Sequence, residues 1–311
     1  MSSLGAGSVA ARGAVEQSLR GRRFDVRSRL FESALLLALL LSLLILLVLL
    51  YDVFRGGVSV LTERGGDFLN QDLSPLPQTA GVRQGIQGSF LMMLFVVSLA
   101  FPVGIGAAVY LEEYARDTRF TRFVNVNIRN LAGVPSIVYG ILGFSIFVGT
   151  LGGLTGGRSV MAGGLTLAVL VLPIVIITTA EALRAVPQSI REAGYGVGAT
   201  RWEVVRSHVL PSAAPGILTG TVLSLSRALG ETAPLLLVGA VTGFLATGDQ
   251  GFFEQLQGQF TALPTIVFTW ARQPNATFRE LTSAAIIVLL GVILVANAAA
   301  IVLRNRYDRR W

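Results

Sequence analysis

Arg227 and Glu231 are the two residues whose types and spacing best suit chemistry on a charged solute. They stand near the middle of an otherwise apolar stretch, and their spacing of four places both charges on one helical face, about 6 Å apart along the axis. A charge at the centre of a lone membrane helix costs about 2.5 to 3.5 kcal/mol, so such residues normally face a bundle interior or a water-filled path. A guanidinium stays charged and offers a bidentate fork, which favours an anionic solute. A purely structural salt bridge between two spans is the alternative.

Thr232 and Pro234 follow the charged pair and mark a weak point of the helix. Pro234 cannot donate a hydrogen bond to the Gly230 carbonyl. We therefore expect a bend or a gate beside Arg227 and Glu231. These two residues, with Thr232 and Pro234, are the predicted lining of a substrate path.

The polar segment 187–211, which lies between the apolar stretches 160–181 and 214–241, predicts a pair of short helices. Pro187 suits the first turn of one helix, and Gly198 suits its C-terminal cap. Thr200 and Glu203 form a T-x-x-E capping box that begins a second helix, which Pro211 is expected to close.

Apolar side chains of this helix pair suit docking by a partner protein. Tyr195, Trp202 and Val205 are expected on its exposed side, where a partner's groove accepts them. The alternative is a helix lying on lipid headgroups. His208, the single histidine, is interpreted as an ordinary loop residue.

The composition of the chain excludes several classes of catalytic and metal site. Of the 311 residues 52% are hydrophobic and 14% charged, whereas soluble globular chains carry about a quarter charged residues. Cysteine is absent and histidine occurs once, which excludes a thiolate nucleophile, a thiolate metal site and a histidine cluster. All 25 basic residues are arginine, so the lysine of a phosphate-binding G-x-x-x-x-G-K-[ST] loop is missing. We predict no catalytic residue, metal or cofactor, and any nucleotide hydrolysis falls to a partner.

Six apolar stretches are long enough to cross a membrane, which needs roughly 20 residues. They lie at 31–53, 87–110, 131–151, 160–181, 214–241 and 282–303. The predicted fold class is therefore an all-α polytopic membrane protein with six transmembrane helices.

The arginines predict the orientation. Eighteen of the 25 fall in the tails and in the segments 111–130 and 182–213, and only six fall in the opposite loops. The positive-inside rule then places both termini in the cytoplasm. The net charge of +7 is explained by this topology, and nucleic acid is not an expected partner.

The loop with the helix pair resembles a signature of bacterial ABC importer permeases: E-A-A, three residues, G, nine residues, I-x-L-P. Five of seven positions match, at Glu192, Ala193, Gly198, Leu210 and Pro211. Gly194 and His208 depart from it. In that family the loop forms coupling helices in a cleft of an ATPase subunit, so the resemblance implies ATPase contact by the five matching residues and Trp202.

The stretch 226–234 resembles the fifth-span motif of PstA-type permeases of phosphate importers. With similar stretches at 183–187 and 263–266, the likeness covers roughly residues 85–305. One departure is Ile177 ahead of Thr178 and Thr179, where some members carry an arginine. If that arginine helps to pass anions, this chain must rely on Arg227 and on its partner permease.

The resemblance implies a type I (MetI-like) ABC importer permease in a bacterial inner membrane, moving inorganic phosphate. It implies as partners a second, non-identical permease, two ATPase copies, an extracytoplasmic phosphate-binding protein and membrane lipid. The predicted regions are a cytoplasmic tail (1–30), a first span (31–53), an extracytoplasmic loop (54–86), a permease core with five spans (87–303) and a cytoplasmic tail (304–311). Within the core, 184–212 is the predicted cytoplasmic coupling loop.

Other functions make different demands on the sequence. A permease for molybdate, sulfate or a polyamine would share the coupling loop. An intramembrane protease or lipid-modifying enzyme would need a Ser–His pair, paired aspartates or a zinc cluster within the spans. A channel acting alone would need no coupling loop.

Overall fold

The computed structural model describes residues 26–241 and 252–307. Over these ranges the chain is helical and forms no β-strand. Of the predicted tails, 1–30 and 304–311, only residues 26–30 and 304–307 are described, and both segments are helical. The helices are α1 Val26–Asn70, α2 Arg83–Tyr114, α3 Arg119–Ala132, α4 Ser136–Thr150, α5 Gly152–Thr155, α6 Val160–Arg184, α7 Gln188–Gly196, α8 Arg201–Gly230, α9 Ala233–Val238, α10 Phe252–Gln257, α11 Leu263–Trp270 and α12 Ala276–Tyr307.

Five helices of the described chain are long and apolar enough to cross a membrane, namely α1, α2, α6, α8 and α12. The pair α3 and α4 makes a sixth span if it is counted as one, although the two helices meet at an angle of 101°. This agrees with the six predicted stretches. It also shows that the predicted cytoplasmic segment 111–130 is mostly helical.

The chain divides into two compact units after Asp52. The first described unit is the leucine-rich part of α1, whose side chains are almost all exposed. In the second unit α1 continues to Asn70 with a kink at Arg64, so the predicted loop 54–86 is helical over most of its first half. Packing explains the extension, because Gly57 lies against Ala284 and the Phe68 ring lies 6.2 Å from that of Trp270.

α6 is the most buried span of the second unit. Glycines in the neighbouring helices allow them to approach α6 closely. A Cβ atom added to Gly104 of α2 would lie only 2.7 Å from Val175, and one added to Gly220 of α8 only 2.3 Å from Thr178, so neither position has room for a side chain. Small residues allow membrane helices to approach in this way. α2 and α8 are thus packed directly against α6.

The prediction that Pro211 closes the second helix of the pair is wrong. The helix runs from Arg201 through Pro211 and becomes the span that ends at Gly230. A widened, π-helical turn, Val205–Val209, ends two residues before the proline. Since a proline ring normally clashes with the carbonyl four residues earlier, a widened turn lets the helix continue past it.

The expected weak point beside Pro234 is a complete interruption of the helix. α8 ends at Gly230, Glu231 is extended (φ −77°, ψ 125°), and α9 begins at Ala233. Pro234 occupies the first turn of α9, where its missing N–H is not needed. The charged pair therefore lies at a break within an apolar region.

Candidate functional site

Arg227 and Glu231 form an ion pair across the end of α8. The Arg227 Nε lies 3.3 Å from the Glu231 Oε1. The carboxylate is mostly buried, with 16% of its side chain exposed, but the arginine side chain is 44% exposed. Because a charge does not face hydrocarbon, this exposure indicates a water-filled path or a second subunit. Arg227 keeps N–H donors for an anion while Glu231 holds one side of its guanidinium.

The other two predicted path residues lie at the same break. Thr232 is half-buried, and its hydroxyl is 3.5 Å from the Pro264 carbonyl oxygen of α11. Pro234 is buried against α4, since a Cβ on Gly140 would lie 2.7 Å from its Cα. The structure thus brings all four predicted path residues together between α8 and α9.

Polar contacts fix the helices around this pair. The Ser226 hydroxyl donates to the Asn297 side-chain oxygen at 2.6 Å, which joins α8 to α12. The Tyr139 hydroxyl donates to the Leu131 carbonyl at 2.9 Å, across the bend between α3 and α4. Tyr139 is buried in the same cluster as Ala228, the residue that follows Arg227. The pair therefore borders the bent helices α3 and α4.

The coupling loop (184–212) has the predicted local structure at its centre. Gly198 has φ +84°, a conformation that glycine adopts without strain, and it follows the end of α7. The capping box is present: the Thr200 N–H donates to the Glu203 carboxylate at 2.7 Å, and the Glu203 N–H donates to the Thr200 hydroxyl at 3.3 Å. Donation from the Thr200 backbone and hydroxyl lowers the pKa of Glu203. The Glu203 carboxylate is therefore charged at neutral pH and accepts the hydrogen bonds that cap the second helix of the loop.

The surface of the coupling loop is partly as predicted. Tyr195 and Trp202 are 43% and 56% exposed, and Val197 is 84% exposed. Val205, expected to be exposed, is fully buried, because α8 continues into the span and turns this apolar side inward. Of the signature residues, Leu210 is half-buried and the other four are exposed: Glu192, Ala193, Gly198 and Pro211.

Arg191 and Glu113 form a largely buried ion pair that the sequence did not predict. The Arg191 Nη2 lies 2.7 Å from the Glu113 Oε1, and the side chains are only 13% and 5% exposed. Arg191 also donates to the carbonyls of Val186 at 2.8 Å and Leu183 at 2.9 Å. One guanidinium therefore joins α7 to the ends of α2 and α6.

A second pair lies beside it, between Arg184 and Glu112. The Arg184 Nε donates to the Glu112 Oε2 at 2.8 Å, but the arginine side chain is 49% exposed. Both pairs line a polar cavity of about 540 Å³ next to the coupling loop. In the sequence, the only indication of these two ion pairs is the two adjacent glutamates at the end of an apolar stretch. Their arginine partners lie 72 and 78 residues further along the chain, so the pairing could not be predicted from spacing.

No group of three or more metal-binding side chains occurs among residues 26–241 and 252–307. The arrangement offers instead a partly exposed arginine at a break between helices, and a rigidly attached loop with exposed aromatic side chains. The chemistry of this arrangement suits an anion at the arginine and a protein partner at the exposed aromatic side chains.

Comparison with known proteins places the chain among transport components. Residues 100–311 match the family described as "Binding-protein-dependent transport system inner membrane component". The chain is 35% identical to the "Phosphate transport system permease protein PstA" of Yersinia pestis, over 74% of this chain and 75% of that protein. It is 34% identical to the "Phosphate transport system permease protein PstA 1" of Mycobacterium tuberculosis (strain CDC 1551 / Oshkosh), over 84% and 83% of the two chains.

Solved structures show a similar fold. A bacterial alginate ABC transporter in complex with alginate pentasaccharide-bound periplasmic protein matches with a TM-score of 0.61 at 15% identity, covering 88% of this chain and 95% of that one. An inward-facing conformation of the MetNI methionine ABC transporter matches with a TM-score of 0.55 at 18% identity, covering 73% and 98%. The fold is thus that of ABC importer permeases of the MetI-like type.

Proposed function

Because the chain belongs to the family of binding-protein-dependent transport system inner membrane components, we propose that it is the permease subunit of an ATP-driven importer of inorganic phosphate. The observation that carries the substrate is its identity of 34–35%, over about three quarters or more of its length, to proteins named as phosphate transport permeases. Arg227 agrees with this substrate, because a permanently charged fork suits phosphate oxygens.

The work of this subunit is conformational. ATP is hydrolysed by a separate ATPase, whose groove receives the exposed face of the coupling loop around Tyr195 and Trp202. Movement of the loop reaches α8 directly, because the loop's second helix and the span are one helix. The break between α8 and α9 lets the path alternate between its two sides, with Arg227 and Glu231 lining or gating it.

The assembly follows from the same proposal. A second, non-identical permease completes the path, two copies of the ATPase bind on the cytoplasmic side, and an extracytoplasmic phosphate-binding protein delivers the solute. The chain lies in the inner membrane with both termini in the cytoplasm, since the arginine-rich segments then face inward. The exposed leucines of α1 contact lipid in this arrangement.

Uptake of labelled phosphate tests the proposal. Vesicles carrying the complete complex are compared for wild type, Arg227→Gln and a control, Arg272→Gln. Arg272 is an exposed arginine that stacks over Phe268, at 4.9 Å from the ring centroid. Losing a charged hydrogen bond of about 1.5–3 kcal/mol lowers uptake by roughly 10- to 150-fold in Arg227→Gln, and the control retains wild-type uptake.

Three outcomes separate the possibilities. Wild-type complex that hydrolyses ATP but moves another solute and no phosphate contradicts the substrate. Uptake that is unchanged in Arg227→Gln contradicts the role of this charge. Failure of the chain to copurify with an ATPase contradicts the importer itself.

A further inference from the structure

We propose that Arg129 of α3 is a second anion-binding residue of the path, between Arg227 and the coupling-loop end of the spans. The inference rests on the proposed phosphate transport and adds a site to it. Arg129 belongs to the segment 111–130 that sequence alone assigned to the cytoplasm.

Arg129 lies beside the last turns of α6. It lines a small cavity of about 20 Å³ together with Ile177, Glu181 and Arg184. Ile177 precedes the end of α6 by seven residues, which corresponds to about 10 Å of helix. The preceding residue of α3, Ile128, packs into the same buried cluster as Ile176 and Leu183. Arg129 therefore lies beside the last two turns of α6 and not in a loop separate from the spans.

The end of α3 also borders the Arg227 site. Leu131, two residues after Arg129, accepts the hydrogen bond from the Tyr139 hydroxyl. Tyr139 is buried in the cluster that contains Ala228, the residue that follows Arg227. A solute that leaves Arg227 along α3 toward the coupling loop therefore reaches Arg129 next.

The charge of Arg129 is available to a ligand. Its neighbours Arg122 and Arg184 pair with Asp117 and Glu112, respectively. Arg129 is exposed and makes no ion pair with any residue in the described ranges. An exposed, unpaired guanidinium beside a span requires water or an anion rather than hydrocarbon.

Glu181 gives this site the property of a transit point. Glu181 lines the same cavity, and its negative charge repels an anion at Arg129. A path needs sites that bind strongly enough to admit an ion and weakly enough to release it. Arg129 attracts the anion from Arg227, and Glu181 weakens binding so that the anion leaves toward the coupling loop.

Transport by the complete complex gives the first test. In Arg129→Gln we expect phosphate uptake to fall about tenfold while the complex assembles and its ATPase remains active; Arg129→Lys keeps most of the uptake. The matched control is Arg119→Gln, an exposed arginine at the other end of α3. Wild-type uptake of phosphate with an unaffected Arg129→Gln overturns this inference alone, whereas absence of phosphate uptake in wild type overturns the proposed function.

Thiol labelling gives a second test that does not depend on transport. The chain has no cysteine, so Val126→Cys introduces its single thiol one turn from Arg129 on an exposed position. We expect a negatively charged methanethiosulfonate reagent to label it from the coupling-loop side, and inorganic phosphate to slow this labelling. The protection by phosphate is lost in Val126→Cys/Arg129→Gln. A thiol that the charged reagent cannot reach, or protection that persists without Arg129, overturns the inference.

Discussion

Replacing Arg191 with methionine tests how the coupling loop is attached to the spans. Arg191 and Glu113 are both buried, and the guanidinium also satisfies the Leu183 and Val186 carbonyls. Methionine fills similar space but leaves the Glu113 carboxylate buried without its partner. Removing one member of a buried pair costs about 3–5 kcal/mol, so we expect a loss of stability of that size.

Arg184→Met is the matched control, because Arg184 pairs with the adjacent Glu112 at the same end of α2. Its side chain is 49% exposed, so water screens the interaction and the expected cost is about 0–1 kcal/mol. At about 2 °C per kcal/mol for a large domain, Arg191→Met lowers the unfolding midpoint by roughly 6–10 °C and Arg184→Met by at most about 2 °C.

The assay heats purified complex in detergent and measures the monodisperse fraction of this subunit by size-exclusion chromatography. Glu113→Leu/Arg191→Met should recover part of the loss, because no charge is then buried alone. Equal midpoints for Arg191→Met and Arg184→Met would refute the reasoning, as would a double variant less stable than Arg191→Met.

Two further predictions compare neighbouring glycines. Gly104→Ala places a Cβ 2.7 Å from the stiff side chain of Val175 and should cost about 1–3 kcal/mol in the same heating assay, whereas Gly106→Ala, with nothing within 4 Å, should not destabilise. Equal midpoints would contradict this packing. Gly198→Ala strains a residue with φ +84° by about 1–2 kcal/mol and should reduce copurification of the ATPase, whereas Gly196→Ala should not. An undiminished yield in Gly198→Ala would show that this turn is not needed for docking.

Features set by nearby residues could be predicted from the sequence. The capping box of Thr200 and Glu203, the left-handed Gly198 and the helix interruption beside Pro234 were all confirmed. Each depends on hydrogen bonds or steric limits within about one helical turn. The apolar spans were predictable for a similar reason, since lipid requires long apolar segments.

Features set by distant contacts could not be predicted. The continuation of α8 through Pro211 depends on a widened turn that no residue type specifies. The burial of Val205 follows from that continuation. The partnership of Arg191 with Glu113 requires α2 and α7 to meet, and the position of Arg129 beside α6 requires α3 to turn back along the span. Contacts between helices that are far apart in the chain cannot be predicted from the residues of one helix alone.

The unbroken helix from the coupling loop to the charged pair also has a mechanical consequence. From Leu210 to Arg227 the axis measures about 26 Å, and the widened turn Val205–Val209 lies at its base. If that turn acts as a fulcrum, a tilt of roughly 7° displaces Arg227 by about 3 Å at this helical rise. Because Glu231 directly follows this helix, the two charges move together, and a small stroke at the loop shifts the pair by a distance comparable with the 3.3 Å between its members.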